Sequence, residues 1–134
     1  MTTKSANKIL IIDDDSDILD FLMDLLEGKI SVSFASNGAQ GIELAKLHKP
    51  DMILLDVMMP EMDGFEVCKR IKEDPEIKHI PIAFLTAQND EKAITKGLEL
   101  GAIDYITKPF DPDIVAAKVE NFLKTIDEMR AVAT

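Results

Sequence analysis

Two apolar runs, Ile9-Leu10-Ile11-Ile12 and Met52-Ile53-Leu54-Leu55, carry no polar alternation. Runs of this kind fit parallel strands covered by helices on both faces. Lys29 to Ala35 alternates instead, with Ile30, Val32 and Phe34 separated by Ser31 and Ser33, the pattern of an edge strand. Ile80 to Leu85 and Ala102 to Ile106 complete five predicted strands, Pro81 being tolerable only near a strand start. Between the strands apolar residues recur at helical spacing: Ile18, Leu22, Leu25; Ala39, Ile42, Ala45; Phe65, Cys68, Ile71; Ile94, Gly97, Leu100; and Val115, Val119, Phe122, Ile126. Breakers separate the five predicted helices from their neighbours, with Gly28 after the first, Asn37-Gly38 before the second, Pro75 after the third and Pro112 opening the fifth.

Strict alternation of strand and helix implies a parallel sheet with right-handed crossovers. Five such units suit the doubly wound, flavodoxin-like α/β order 2-1-3-4-5. The 134 residues fit one domain, and a core of that size is buried without staples. Hydrophobic residues at 46% and charged residues at 30% exclude neither folding nor solubility. No apolar run approaches the roughly 20 residues that cross a bilayer, and the polar start, Met1 to Asn7, lacks the apolar stretch of a signal peptide. A cytoplasmic protein without membrane insertion is the expectation. A net charge of −10 disfavours direct binding to nucleic acid. The single Cys68 lies in a helical pattern and is expected to pack rather than react.

In a sheet of this kind ligands sit beyond the carboxyl ends of the strands, and that edge collects the chemistry. The first central strand runs into Asp13-Asp14-Asp15, the second ends at Asp56, the fourth at Thr86, and the fifth is followed by Lys108-Pro109. A lone acidic loop residue is usually just solvated. Asp13, Asp14 and Asp56 at neighbouring strand ends would repel one another unless protonated or bound to a cation. An all-oxygen site with few protein ligands suits Mg2+, with Mn2+ as a substitute. Such an ion completes its octahedron with water and phosphate oxygens, and Lys108 and the Thr86 hydroxyl supply partners for two further oxygens of a transferring phosphoryl group. Asp56 stands alone at the end of a middle strand and is the candidate nucleophile, forming an acyl phosphate.

The segments ILIIDDD (Ile9 to Asp15), MILLDVMMPEMDG (Met52 to Gly64), FLTA (Phe84 to Ala87) and YITKPF (Tyr105 to Phe110) together resemble the receiver domains of response regulators, of the chemotaxis-regulator-like kind, from about Lys8 to Lys124. The resemblance implies phosphorelay signal transduction. It makes Asp56 the phospho-acceptor, Asp14 and Asp56 direct metal ligands, Asp13 a ligand through water, and the main-chain carbonyl of Met58 a further ligand. It also pairs Lys108 with the phosphoryl group, makes the Lys108-Pro109 bond cis, and casts Thr86 and Tyr105 as a switch pair in which the hydroxyl moves toward the phosphoryl group and the ring turns inward. In its plainer reading Tyr105 covers the sheet edge. Met58 and Gln88 hold positions that tune hydrolysis in the family. Asp63 is expected to cap the third helix, with two of the methionines around it exposed.

The implied partners are a sensor histidine kinase or phosphotransfer protein, and an output protein or domain met through the face of the fourth helix, fifth strand and fifth helix. A metal-dependent phosphohydrolase of the haloacid dehalogenase type is the main rival; it carries a second Asp two residues past its nucleophile, where this chain has Met58, which transfers no proton. No Walker-type or GxGxxG loop supports nucleotide binding, and a degenerate receiver acting only as a docking module would lack residues that are all present here. Residues 1–124 read as the receiver, and 125–134 as an extension of the last helix or the start of a linker. The stripe Val115, Val119, Phe122, Ile126, Met129 and Ala133 is heptad-like: its tail either frays beyond Leu123, or continues as a helical linker, or pairs two copies as a homodimer.

Overall fold

The computed structural model describes residues 7–28, 30–87 and 90–133, with side chains through residue 130. Its elements run β1 (Lys8–Ile12), α1 (Ser16–Leu26), β2 (Ser31–Ala35), α2 (Gly38–His48), β3 (Met52–Asp56), α3 (Gly64–Lys72), β4 (Ile82–Ala87), α4 (Glu91–Glu99), β5 (Asp104–Lys108) and α5 (Pro112–Ala133). All pairings in the sheet are parallel and the order is β2-β1-β3-β4-β5, as strict alternation predicts.

The two uninterrupted apolar runs become the central strands, and their side chains are buried on both faces. Leu10, Ile12, Ile53 and Leu55 pack with α2 and α3, whereas Ile9, Ile11, Met52 and Leu54 pack with α1 and α5. Alternation along a strand sends neighbours to opposite faces, so one run feeds two cores. No helix among the described residues is long and apolar enough to cross a membrane.

Several predicted details shift. β4 begins two residues later than expected, because Ile80 is buried in a turn, closed by Ile80 N–H donating to the Ile77 carbonyl, rather than in a strand. β5 also begins two residues later: Ala102 N–H still donates to the Gly97 carbonyl and so completes the end of α4. Lys108 is therefore the last strand residue, and its peptide bond to Pro109 is cis. β2 starts at Ser31, Lys29 lies outside the described residues, and Phe34, one residue before the strand's end, is 47% exposed rather than covered.

The helix faces rotate slightly from the predicted stripes. α1 buries Leu19, Leu22 and Leu26 rather than Ile18 and Leu25, and α2 buries Gly38, Gly41 and Ala45, leaving Ala39 exposed and Ile42 only partly buried. A Cβ on Gly41 would meet Ile12 Cδ1 at 2.4 Å, so glycine sets how closely α2 approaches β1. α5 stays helical to Ala133 and buries Val115, Val119, Leu123 and Ile126, leaving Met129 66% exposed. Its last described turn is tied back to the sheet's amino end, where Arg130 Nη1 lies 2.6 Å from Asp51 Oδ1. Cys68 is fully buried and unpaired, and burial pushes its thiol pKa up.

Candidate functional site at the carboxyl ends of the strands

Sheet register assembles the site. Ile12 pairs with Leu55, which sets Asp13 beside Asp56; Asp56 pairs with Leu85, and Ala87 with Lys108. The residues expected at four strand ends thus line one cleft of about 330 Å³, containing Asp13, Asp14, Asp56, Met58, Thr86 and Lys108.

The carboxylates are unequally solvated. Asp13 is fully buried, Asp56 is 4% exposed, and Asp14 reaches solvent. One oxygen from each of the three lies within 4.8 Å of the others. Asp13 Oδ1 accepts the N–H of Asp15 at 2.9 Å, which fixes its orientation. Lys108 Nζ lies 3.0 Å from Asp56 Oδ1 and 3.4 Å from Asp13 Oδ2, its side chain itself largely covered. One ammonium therefore serves two buried anions.

The electrostatics show that this compensation is incomplete. Burial, and next the charge of Asp13, push the Asp56 carboxyl up to about 6 from an ordinary 3.8, against the hydrogen bond and charge of Lys108. Burial pulls the Lys108 ammonium down, but the hydrogen bond and charge of Asp56, with help from Asp13, outweigh it and the net direction is up. A divalent cation among these oxygens would relieve the repulsion, and the all-oxygen set suits a hard ion such as Mg2+.

The loop after β3 explains why Asp56 is so closely backed. Asp63 caps α3 by accepting the N–H of Glu66 at 2.9 Å, as expected. A Cβ on Gly64 would sit 2.1 Å from the Asp56 carbonyl oxygen, and Gly64 N–H donates to the Val57 carbonyl at 2.9 Å. Only glycine lets the helix start so near the strand end. Of the loop methionines Met58 is 77% exposed at the cleft, but Met59 is buried in the core and Met62 half-buried against it, so one rather than two stands open.

Thr86 is 3% exposed. Tyr105 does not line the cleft: it pairs with Phe84, one step back on the same face as Thr86, and packs half-buried against the α3 and α4 side of the core. Gln88 lies outside the described residues. Two carboxylates that sequence reasoning passed over also line the cleft, Asp15 and Asp90. Each caps a helix, Asp15 by accepting the N–H of Asp17 and Asp90 by accepting that of Ala93. Their signal was available, since Asp just before a helical pattern is a common cap.

Comparison with known proteins agrees with this geometry. Residues 9–120 match the response regulator receiver domain. The chain is 41% identical to the response regulator PleD of Caulobacter vibrioides, covering 92% of this chain and 28% of that protein. It is 44% identical to the alkaline phosphatase synthesis transcriptional regulatory protein PhoP of Bacillus subtilis, covering 87% of this chain and 48% of that one. The chain thus spans half or less of these relatives. The crystal structure of the signal receiver domain of a signal transduction histidine kinase from Syntrophus aciditrophicus superposes with a TM-score of 0.80 at 35% identity, over 90% of this chain and 92% of that one.

Proposed function

The chain belongs to the receiver-domain family of response regulators, regulatory switches of phosphorylation-based signalling, and from that premise we propose that Asp56 accepts a phosphoryl group from a histidine kinase or a small phosphodonor. The observation that carries this reading is the trio of Asp13, Asp14 and Asp56 around one point, with Lys108 3.0 Å from Asp56 Oδ1.

An Asp56 carboxylate oxygen attacks phosphorus, a P–O bond forms, and the donor's bond to phosphorus breaks with its electron pair leaving on the donor, which takes a proton from solvent. Lys108, already beside that oxygen, holds positive charge where the phosphoryl oxygens arrive, and the buried Thr86 hydroxyl donates a hydrogen bond to another. Asp14 and Asp56 directly, Asp13 through water and the Met58 carbonyl would hold Mg2+ (or Mn2+), whose charge neutralises the carboxylates and the transferring group. Met58 offers no ionisable group for turnover on an external substrate, which favours a stored acyl phosphate over a phosphohydrolase.

Output by the family's mode would pass through α4, β5 and α5. Exposed Leu98 on α4, Ile103 just before β5 and Ile114 on α5 support an apolar contact there. We assign residues up to 124 to the receiver and the remainder to an extension of α5. The test is intact-mass spectrometry after acetyl phosphate and Mg2+: one phosphoryl group is expected on the parent and none on Asp56→Asn. Undiminished labelling of the variant overturns the reading.

A further inference from the structure

Lys118, on α5, makes two contacts with one residue. Its Nζ donates to the Tyr105 carbonyl oxygen at 2.9 Å and stands 5.0 Å from the centroid of the Tyr105 ring. Both groups are partly buried. β5 is an edge strand of the sheet, so this ammonium satisfies a carbonyl at the margin and lies over the ring of the same residue. We propose that Lys118 is a positioning residue for the switch, a latch that holds the Tyr105 ring in the orientation seen here and opposes its turning inward. This rests on the reading of Thr86 and Tyr105 as a switch pair.

The charge-assisted bond to the carbonyl anchors the ammonium to the strand backbone, which does not move when the side chain turns about its first torsion. The ring can therefore leave the ammonium while the ammonium stays. Of the two contacts Lys118 makes, only the cation–π one distinguishes the ring orientations, and a contact of that class at a partly exposed site shifts a two-state population by roughly two- to fivefold. A latch of this size sets the resting balance without blocking the switch. Neither Lys118 nor Tyr105 lines the cleft, so the effect is on the ring's equilibrium rather than on the phosphoryl chemistry.

The chain provides its own reporter, because it has one Tyr and no Trp; tyrosine emission and its quenching by acrylamide read Tyr105 alone. Without any phosphodonor, Lys118→Met keeps the apolar stem and removes the charge. Its Tyr105 is expected to be less accessible to quencher than the parent's, displaced toward the value of the phosphorylated parent by a roughly two- to fivefold change in population. Lys118→Arg, which keeps a cation over the ring, is expected to restore parent-like quenching. Equal or greater quenching in Lys118→Met overturns the latch. If instead the parent's emission does not respond while mass spectrometry shows Asp56 labelled, the switch reading itself fails, and the donor-free comparison of the two variants still decides what Lys118 does.

Discussion

The buried Asp56 carboxylate should cost the protein stability whenever it is ionised without a cation, and Asp56→Asn measures that cost. Its pKa rises from 3.8 in the unfolded chain to about 6 in the folded one, chiefly through burial and then through Asp13. A raised carboxyl pKa means that the folded state holds its proton longer, so the associated stability is full below the unfolded value and is lost as pH rises through about 6. At 1.36 kcal/mol per unit the loss is about 3 kcal/mol. Urea unfolding in the presence of a chelator, at steps from about pH 4 to about pH 7.5, would be run on parent and variant. Groups remote from the cleft titrate alike in both, so the difference between the curves reports Asp56 together with its coupled neighbours Asp13 and Lys108. Asp56→Asn should gain about 3 kcal/mol on the parent across that window, or about 1.5 M in urea midpoint for a slope near 2 kcal/mol/M. Mg2+ at about a hundred times its dissociation constant stabilises the parent by about 2.7 kcal/mol, enough to close most of the gap. A stability difference that stays flat with pH would refute the reasoning.

Gly64→Ala drives a Cβ onto a backbone oxygen, so its cost is expected at about 3 kcal/mol or more, against about 1–2 kcal/mol for Gly41→Ala, whose nearest atoms belong to the buried Ile12 side chain rather than to backbone; equal thermal shifts would contradict this. Lys108→Met removes a cation from beside two of the three carboxylates, and should bind Mg2+ tighter by roughly tenfold in calorimetry while Asp56 is labelled more slowly by acetyl phosphate. Weaker Mg2+ binding would show that Lys108 organises the carboxylates rather than competes for them. Ile126→Ala should destabilise by about 2–4 kcal/mol, and Met129→Ala by no more than about 0.5 kcal/mol, in urea unfolding. The reverse order would mean that the outer turns of α5 face a partner.

The strand order and the site's membership were legible because both depend on short-range signals. An apolar run bounded by Asp13-Asp14 or by Asp56 states where a central strand ends, and a parallel sheet brings those ends to one edge. Helix faces were less legible. In α2 the buried positions are Gly38, Gly41 and Ala45, and a reading that seeks apolar side chains prefers Ala39 and Ile42, because it does not see that the close approach requires no side chain. The strand starts failed for a related reason: Ile80 is apolar and buried, but it plugs the core from a turn. Sequence leaves the tail of α5 open between fraying, linking and pairing, because a heptad-like stripe does not say which surface it meets. Val115, Val119 and Ile126 are buried in this domain's own core and Phe122 packs half-buried against it, so most of the stripe is not free for a second copy.

Charge counting joins the site's instability to its use. Asp13, Asp14 and Asp56 bring three negative charges and Lys108 one positive, leaving a surplus of two that one divalent cation matches and a monovalent one does not. The other two carboxylates of the cleft do not add freely to this surplus, because Asp15 and Asp90 are each held at a helix amino terminus, where backbone N–H groups and the helix dipole favour negative charge. A carboxylate in place of Met58 would raise the surplus to three and place an ionisable group beside the acceptor. On the proposed reading, the neutral side chain would keep the charge within reach of a single divalent ion and would withhold an ionisable group from a phosphoryl stored on Asp56.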